Sequence, residues 1–232
     1  MTAINSLLSR NKILEHLKAG NIIIDPFKAA NLGTVSYDVT LGKYFFREQN
    51  LGHLRSVYSP YSELDVKEVW GQPQEAENAA RFFKRTKVGL PDGIKKNDWV
   101  IVIGPGETVL CHTQEFIGGQ NCVTTMMKAR SSLGRNFIAV CKCAGWGDLG
   151  FINRWTMEVT NYSTRYTIPL VVGRRVAQIA FFQVDKIVGK DYADSGKYQK
   201  GRNIREIKKT WDPYQLLPKM WKDRELKSKR KK

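Results

Sequence analysis

Cysteine is scarce in this chain of 232 residues, and no long apolar run interrupts it. The four cysteines, Cys111, Cys122, Cys141 and Cys143, are too sparse for a disulfide scaffold. Reduced thiols, and with them the cytoplasm or another reducing intracellular compartment, are the expectation. The longest apolar stretches, such as residues 168–172, fall far short of the roughly 20 residues that cross a bilayer, and no apolar run follows a basic start at the N-terminus. No membrane partner is therefore expected. Acidic residues are outnumbered 22 to 38 by Lys and Arg, a formal net charge of +16. Such a body favours an anionic ligand, whether nucleotide, nucleic acid or acidic protein.

Several signatures of chemistry are missing too. The chain has no phosphate loop of the Gly-x4-Gly-Lys-Ser/Thr type and no Gly-x-Gly-x-x-Gly after a strand. It lacks the paired His-x-Glu and Pro-Cys-x-x-Cys that zinc-dependent attack on a base requires. Cys141-Lys142-Cys143 would put two thiols on the same face of a strand, but no second Cys or His pair follows to complete four ligands, so no directly bound metal is expected. Internal repeats and heptads are absent.

What is present is strand-like. A short helix over residues 9–20 is expected, capped by Ser9, with Ile13, Leu14 and Leu17 on one face and Gly20 as its stop. Two strands follow, at 21–26 and 34–42, and seven more runs rich in β-branched and aromatic residues occupy 99 onward. Gly104-Pro105-Gly106 reads as a hairpin turn. This pattern predicts a mainly β fold, a β-barrel or double-sheet jelly roll, with a short N-terminal helix. One domain is expected over residues 1–204, with 50–97 as an insert that is loop apart from one helical stretch at 75–84. Residues 205–232 form a basic C-terminal tail, carrying 11 basic and 4 acidic side chains. Its plain reading is a solvated tail, dispensable for chemistry; its sharper one is a strap on a neighbouring subunit through Trp211, Tyr214 and Trp221, or a contact with nucleic acid.

Two segments carry candidate chemistry. In Lys128-Ala129-Arg130-Ser131-Ser132-Leu133-Gly134-Arg135, two arginines bracket two hydroxyls and a glycine. Such a turn can offer guanidinium forks, hydroxyls and backbone N–H groups to a phosphate chain, or it can be a solvated turn. In the second segment, a glycine-rich turn bearing Asp148 leads into a strand in which Glu158 sits among β-branched and aromatic neighbours. Alone, Glu158 reads more readily as an exposed strand residue.

Taken in order, five stretches resemble the trimeric dUTPase and dCTP deaminase superfamily: residues 34–42 (Thr-Val-Ser-Tyr-Asp-Val-Thr-Leu-Gly), 129–135 (Ala-Arg-Ser-Ser-Leu-Gly-Arg), 144–151 (Ala-Gly-Trp-Gly-Asp-Leu-Gly-Phe), 173–179 (Gly-Arg-Arg-Val-Ala-Gln-Ile) and 196–199 (Gly-Lys-Tyr-Gln). The resemblance implies a distorted jelly-roll fold, a homotrimer with active sites between subunits, and Mg²⁺ bound through the triphosphate. Met157-Glu158-Val159-Thr160-Asn161 resembles the deaminase branch, which carries a glutamate ten residues past the aspartate, and no glycine-rich closing arm of the dUTPase type is present. The implied activity is zinc-independent hydrolytic deamination of dCTP to dUTP and ammonia, with continuation to dUMP and pyrophosphate left open by the retained Asp148. A dUTPase without deaminase activity, or a regulatory nucleotide- or nucleic-acid-binding protein on the same fold, are the alternatives.

The same resemblance implies roles by residue. Glu158 would move protons, with Ser131 and the Ala144 carbonyl placing the water and Arg135 holding the carboxylate. Arg130, Ser132, Gln178, Lys197 and Tyr192 would meet the phosphates, Asp148 the deoxyribose, and Thr156 the base. Departures cluster around Asp148: leucine stands where the family has proline after it, and Gly147 replaces a hydrophobic residue before it. A widened pocket is the expectation from Gly147.

Overall fold

The computed structural model describes residues 6–50, 57–199 and 201–227; residues 1–5, 51–56, 200 and 228–232, which include ends of the expected domain and tail and part of the insert, lie outside the described residues. Helix α1 (Arg10–Lys18) leads into β1 (Ile22–Asp25), β2 (Ser36–Thr40) and β3 (Tyr44–Arg47). Gly20 ends the helical region at φ 75°, where a side chain would be strained. Ser9 occupies the N-cap position but its hydroxyl makes no cap hydrogen bond; Arg10 anchors this end instead, through the carbonyls of Leu32 and Gly33. Ile13 is buried while Leu14 is exposed, so the apolar face is narrower than expected.

The insert holds α2 (Glu63–Trp70), two-residue strands β4 (Gln74–Glu75) and β5 (Glu77–Asn78), and α3 (Ala79–Thr86). Only the second helix was expected, and it starts later than 75 because Glu75, Glu77 and Asn78 pair with neighbouring strands. Helix α2 has its own start signal, Ser62-x-x-Asp65, in which the Ser62 hydroxyl accepts from the Asp65 N–H at 3.2 Å.

All seven strand runs after residue 99 form strands. They are β6 (Trp99–Ile103), β7 (Thr108–Gly119), β8 (Val123–Ala129) and, after the short helix α4 (Ser131–Gly134), β9 (Ile138–Val140). The two-residue β10 (Trp146–Gly147) precedes β11 (Ile152–Asn161), β12 (Ile168–Val171) and β13 (Arg175–Gln183). They build three antiparallel ladders: β4-β3-β7-β11-β9 with β1 also on β7, β10-β8-β13-β2, and β12-β6-β5. This is a mainly β architecture of open sheets, and no closed barrel forms among the described residues. Their facing sides bury Tyr37, Val39, Ile101, Val109, Ile117, Met157, Ile179 and Phe181 in one core.

Two local expectations change. The Gly104–Gly106 turn joins β6 to β7, which lie in different ladders, so it links sheets rather than closing a hairpin. Cys141 lies past the end of β9; Cys141 and Lys142 have φ of 62° and 40°, and the resulting turn buries Cys141 while leaving Cys143 exposed. The two thiols therefore do not share a strand face.

Residues 204–227 fold back on the body rather than forming a solvated tail. Following α5 (Tyr192–Ser195), helix α6 (Ile204–Thr210), 3-10 turns at Pro213–Leu216 and Met220–Lys222, and α7 (Arg224–Lys227) form a strap. Leu216 and Leu217 are buried with Phe46, Leu110 and Val66 of α2, and Trp70, Trp211 and Trp221 pack around them. Apolar burial holds the strap against its own charge. Replacing Leu216 by Ala should lower unfolding free energy by about 2–5 kcal/mol, the usual range for a buried leucine; a loss under about 0.5 kcal/mol in denaturant titration would restore the solvated-tail reading.

His112, 1% exposed, lies beneath the strap. The Tyr44 N–H donates to Nε2 at 3.2 Å and the ring packs on Trp211 at 4.9 Å between centroids. With Nε2 accepting, Nδ1–H donates to the Thr113 carbonyl at 2.7 Å. Burial pushes the imidazole pKa down to about 4. The unfolded chain binds the proton first as pH falls, so stability is full above about pH 6.5 and declines towards pH 4, by up to about 3 kcal/mol from this group. Unfolding of His112→Gln at pH 7 and pH 5 should show a shallower decline than the parent.

Candidate active site

The site begins with the pairing of β11 and β7. Thr156 to Thr160 face His112 to Thr108 in regular antiparallel register, and Ile152 to Arg154 face Gly118 to Phe116. Between the two runs, residues 113–115 of β7 stand opposite Trp155 alone. The Thr113 hydroxyl stitches this bulge, accepting from the Trp155 N–H at 2.9 Å and donating to the Glu115 carbonyl at 2.7 Å. Strand alternation then sends Trp155, Met157 and Val159 into the core and leaves Arg154, Thr156 and Glu158 on the other face.

That face is one wall of a cavity of about 520 Å³. Ala144, Asp148, Thr156, Glu158, Tyr192 and Lys197 all line it, so six of the expected site residues come together. Residues not expected there complete it: Trp146, Phe151, Asn153, Arg154 and Tyr198 around the motifs, Trp70 from the insert, and Gln215, Leu216 and Pro218 from the strap. The strap is thus part of the pocket wall, contrary to the expectation that residues beyond 204 stand apart from the chemistry. Arg154 could have been found from its parity with Thr156 and Glu158; the strap residues carry no motif that would announce them.

Gly147 does not widen this pocket. A Cβ there would lie 2.3 Å from both the Trp155 ring and the Thr125 hydroxyl. The buried indole, donating to the Ile117 carbonyl at 2.8 Å, fills the space a larger side chain would take. Further along the turn, Gly150 has φ 89°, and a Cβ would meet the Asp191 carboxylate at 2.7 Å. Gln199, 5% exposed, ties the turn down: its amide donates to the Gly150 carbonyl and its oxygen accepts from the Ile152 N–H. This knot fixes the turn that follows Asp148.

The remaining expected residues sit elsewhere on the chain. Arg130 precedes α4, and Ser131, Ser132 and Arg135 are exposed on it or just after it. Arg130 borders a separate cavity with Thr40, Arg174 and Arg175. Gln178 donates to Asp38 at 3.1 Å, and Arg175 grips the other oxygen of Asp38 at 2.7 Å, joining the first and fourth motifs. Among the described residues, Lys142 is the cation that acts on Glu158.

Electrostatics set Glu158 apart from an ordinary strand glutamate. Burial raises its pKa above the usual carboxylate range, outweighing Lys142 and a backbone hydrogen bond. Burial also pushes Tyr192 up to about 12, so its hydroxyl stays protonated at neutral pH. Among the described residues no three His, Cys, Asp or Glu side chains gather as a metal site.

Residues 7–184 match the family model of dCTP deaminase-like proteins. The chain belongs to that family. It is 30% identical over 203 residues to a dUMP-forming dCTP deaminase of Hydrogenobaculum sp. (strain Y04AAS1), covering 87% of this chain and 96% of the relative. A dUMP-forming dCTP deaminase of Beutenbergia cavernae is likewise 30% identical over 196 residues, with 83% and 89% covered. Among solved structures, 2'-deoxycytidine 5'-triphosphate deaminase from Agrobacterium tumefaciens superposes with a TM-score of 0.54 at 13% identity, over 81% of this chain. The chain spans about half the length of that one, 51%, and the likeness speaks for the fold.

The Trp155–Gly147 fit is directly testable. Gly147→Ala should destabilise the protein by about 1–3 kcal/mol, the usual range for overpacking. A thermal unfolding curve matching the parent would show that the indole can move aside.

Proposed function

We propose that the chain is a zinc-independent hydrolase that deaminates dCTP and carries the product on to dUMP. The observation that carries this reading is Glu158, a half-buried carboxylate with a raised pKa, sharing one cavity with Thr156, Ala144 and Asp148. The names of the relatives, dUMP-forming dCTP deaminases, support it. Water must add to C4 of the cytosine, a proton must reach N3, and the C4 amine must leave as ammonia. One group that takes and returns protons serves all three steps, and a pKa drawn towards neutrality suits it to both directions. The balance is dCTP plus water giving dUTP plus ammonia, then dUTP plus water giving dUMP plus pyrophosphate. Asp148 is assigned to orient the deoxyribose and to activate water in the second step. The carbonyl of Ala144, an exposed residue that lines the cavity, and the Ser131 hydroxyl are assigned to place the first water, and Thr156 to meet the base through its backbone.

Ser131, Ser132, Arg130 and Arg135 are assigned to act from a neighbouring copy in a homotrimer. The exposure of Ser131, Ser132 and Arg135, beside the exposed rings of Phe137 and Tyr162, supports a composite site between subunits. There Arg135 would orient Glu158, while Arg130, Ser132, Gln178, Tyr192 and Lys197 would hold the phosphates. Mg²⁺ would be held by phosphate oxygens and water, which fits a chain whose described residues gather no carboxylate cage. When bound, it neutralises phosphate charge. A plain dUTPase has no use for a half-buried Glu158. A nucleic-acid contact through the tail is less favoured, because Trp211 and Trp221 pack on this chain's own core.

Incubation with dCTP, dCMP and dUTP, assayed for ammonia and pyrophosphate, tests the reaction. Glu158→Gln should cut ammonia release at least about 10²-fold, and Asp148→Asn should impair pyrophosphate release from dUTP. Because burial disfavours the charged Glu158, the glutamine variant should be at least as heat-stable as the parent. Deamination should rise with pH through the raised pKa, and that acidic limb should vanish in Glu158→Gln. Parent-like ammonia release by this variant would sink the assignment.

A further inference from the structure

The strap lies beyond residues 7–184 that match the family model, yet it reaches the phosphate end of the site. Lys197, assigned above to the phosphates, is ion-paired with Asp223 of the strap. Both side chains are only about one-third exposed, 33% and 29%, so water screens the pair incompletely. The contact is held from both sides. The Lys219 N–H donates to the Tyr198 hydroxyl at 3.0 Å, Lys219 lies over the Tyr198 ring at 5.1 Å, and Asn153 donates to Gln215 at 3.3 Å and to the Tyr198 carbonyl at 3.0 Å. Asp223 is therefore an anion held against the lysine assigned to meet an incoming phosphate chain.

We propose that Asp223 is a specificity-determining residue that competes with the nucleotide's phosphates for Lys197 and so weakens binding more as the phosphate chain lengthens. The inference rests on the reading of this pocket as a deoxycytidine nucleotide site. An ammonium has three N–H donors but a single charge to share. Phosphates that engage Lys197 must either displace the Asp223 carboxylate or sit beside it, and repulsion grows with the charge they bring. A triphosphate carries the greater charge and reaches further along the pocket than a monophosphate. Asp223 acts through Lys197 and touches no reacting atom.

Calorimetric titration of the full chain with dCTP and with dCMP, in one magnesium buffer, reads the effect without relying on turnover. Asp223→Asn should tighten dCTP by about 5- to 10-fold and dCMP by less than about 2-fold, an effect that shrinks in high salt. KM for dCTP should fall alongside while kcat stays within about 2-fold. Asp223→Glu keeps the charge and should keep the parent's ratio of the two affinities. An unchanged ratio in Asp223→Asn, or equal weakening of both nucleotides with a lowered Tm, would overturn the proposal in favour of a clamp that only holds the strap. The same change in Asp223→Glu as in Asp223→Asn would overturn it too. Failure of the underlying reading looks different: the parent binds dCTP but releases no ammonia, or Lys197→Ala leaves dCTP affinity unaltered.

Discussion

The register of β11 against β7 is the constraint on which the site depends. A slip of one residue would exchange the two faces of β11, sending Glu158 into the core and Met157 into the pocket. Several contacts forbid it. A Cβ at Gly118 would lie 1.9 Å from the Phe151 carbonyl, so this crossing needs glycine at that place. At the far end, Asn161 spans to the carbonyls of Ile103 and Tyr166 at 3.0 and 2.7 Å. The Thr113 bulge takes up the mismatch between the two runs, which lets both ends keep their anchors. Glu158 is half-buried because the strand is pinned, and its raised pKa follows from that burial.

Two features of the neighbouring turn trade volume. Trp155 is the one large ring on the inner face of β11 opposite the bulge, and Gly147 is small where that ring arrives. Read one at a time, the glycine suggests a gap and the tryptophan an ordinary core residue. Only their contact shows that one compensates the other, and sequence separation hides such a pairing across strands. The same holds for Gly150 and Asp191, forty-one positions apart and touching.

Strand content was legible because alternation and β-branched residues are local signals, and every run after residue 99 forms a strand. Motif spacing made Glu158 and Asp148 legible, as a ten-residue separation along one turn and strand survives in one dimension. Helix α2 was not seen, although Ser62-x-x-Asp65 marks its start, because the surrounding Ser, Tyr, Gly and Pro suggested loop. The strap is hidden in the sequence for a physical reason: its helices are too short to show a full amphipathic period, and its charge masks Leu216 and Leu217. Arg135 illustrates a different limit, since its expected partner Glu158 is not met within one chain.

The insert and the strap depend on each other. Val66 and Trp70 on α2 bury against Leu216 and Leu217, and those leucines are covered in part by α2. Each alone is a short polar segment around a few apolar side chains, too small to order itself. Docked together over Phe46 and Leu110, they form a second core, and Leu110 also lines the cavity that holds Glu158. The added core therefore shares a wall with the site, and any change that loosens it reaches Glu158 through Leu110, which pairs directly with it across the strands. The addition therefore bears directly on the residue that faces Glu158 across the ladder.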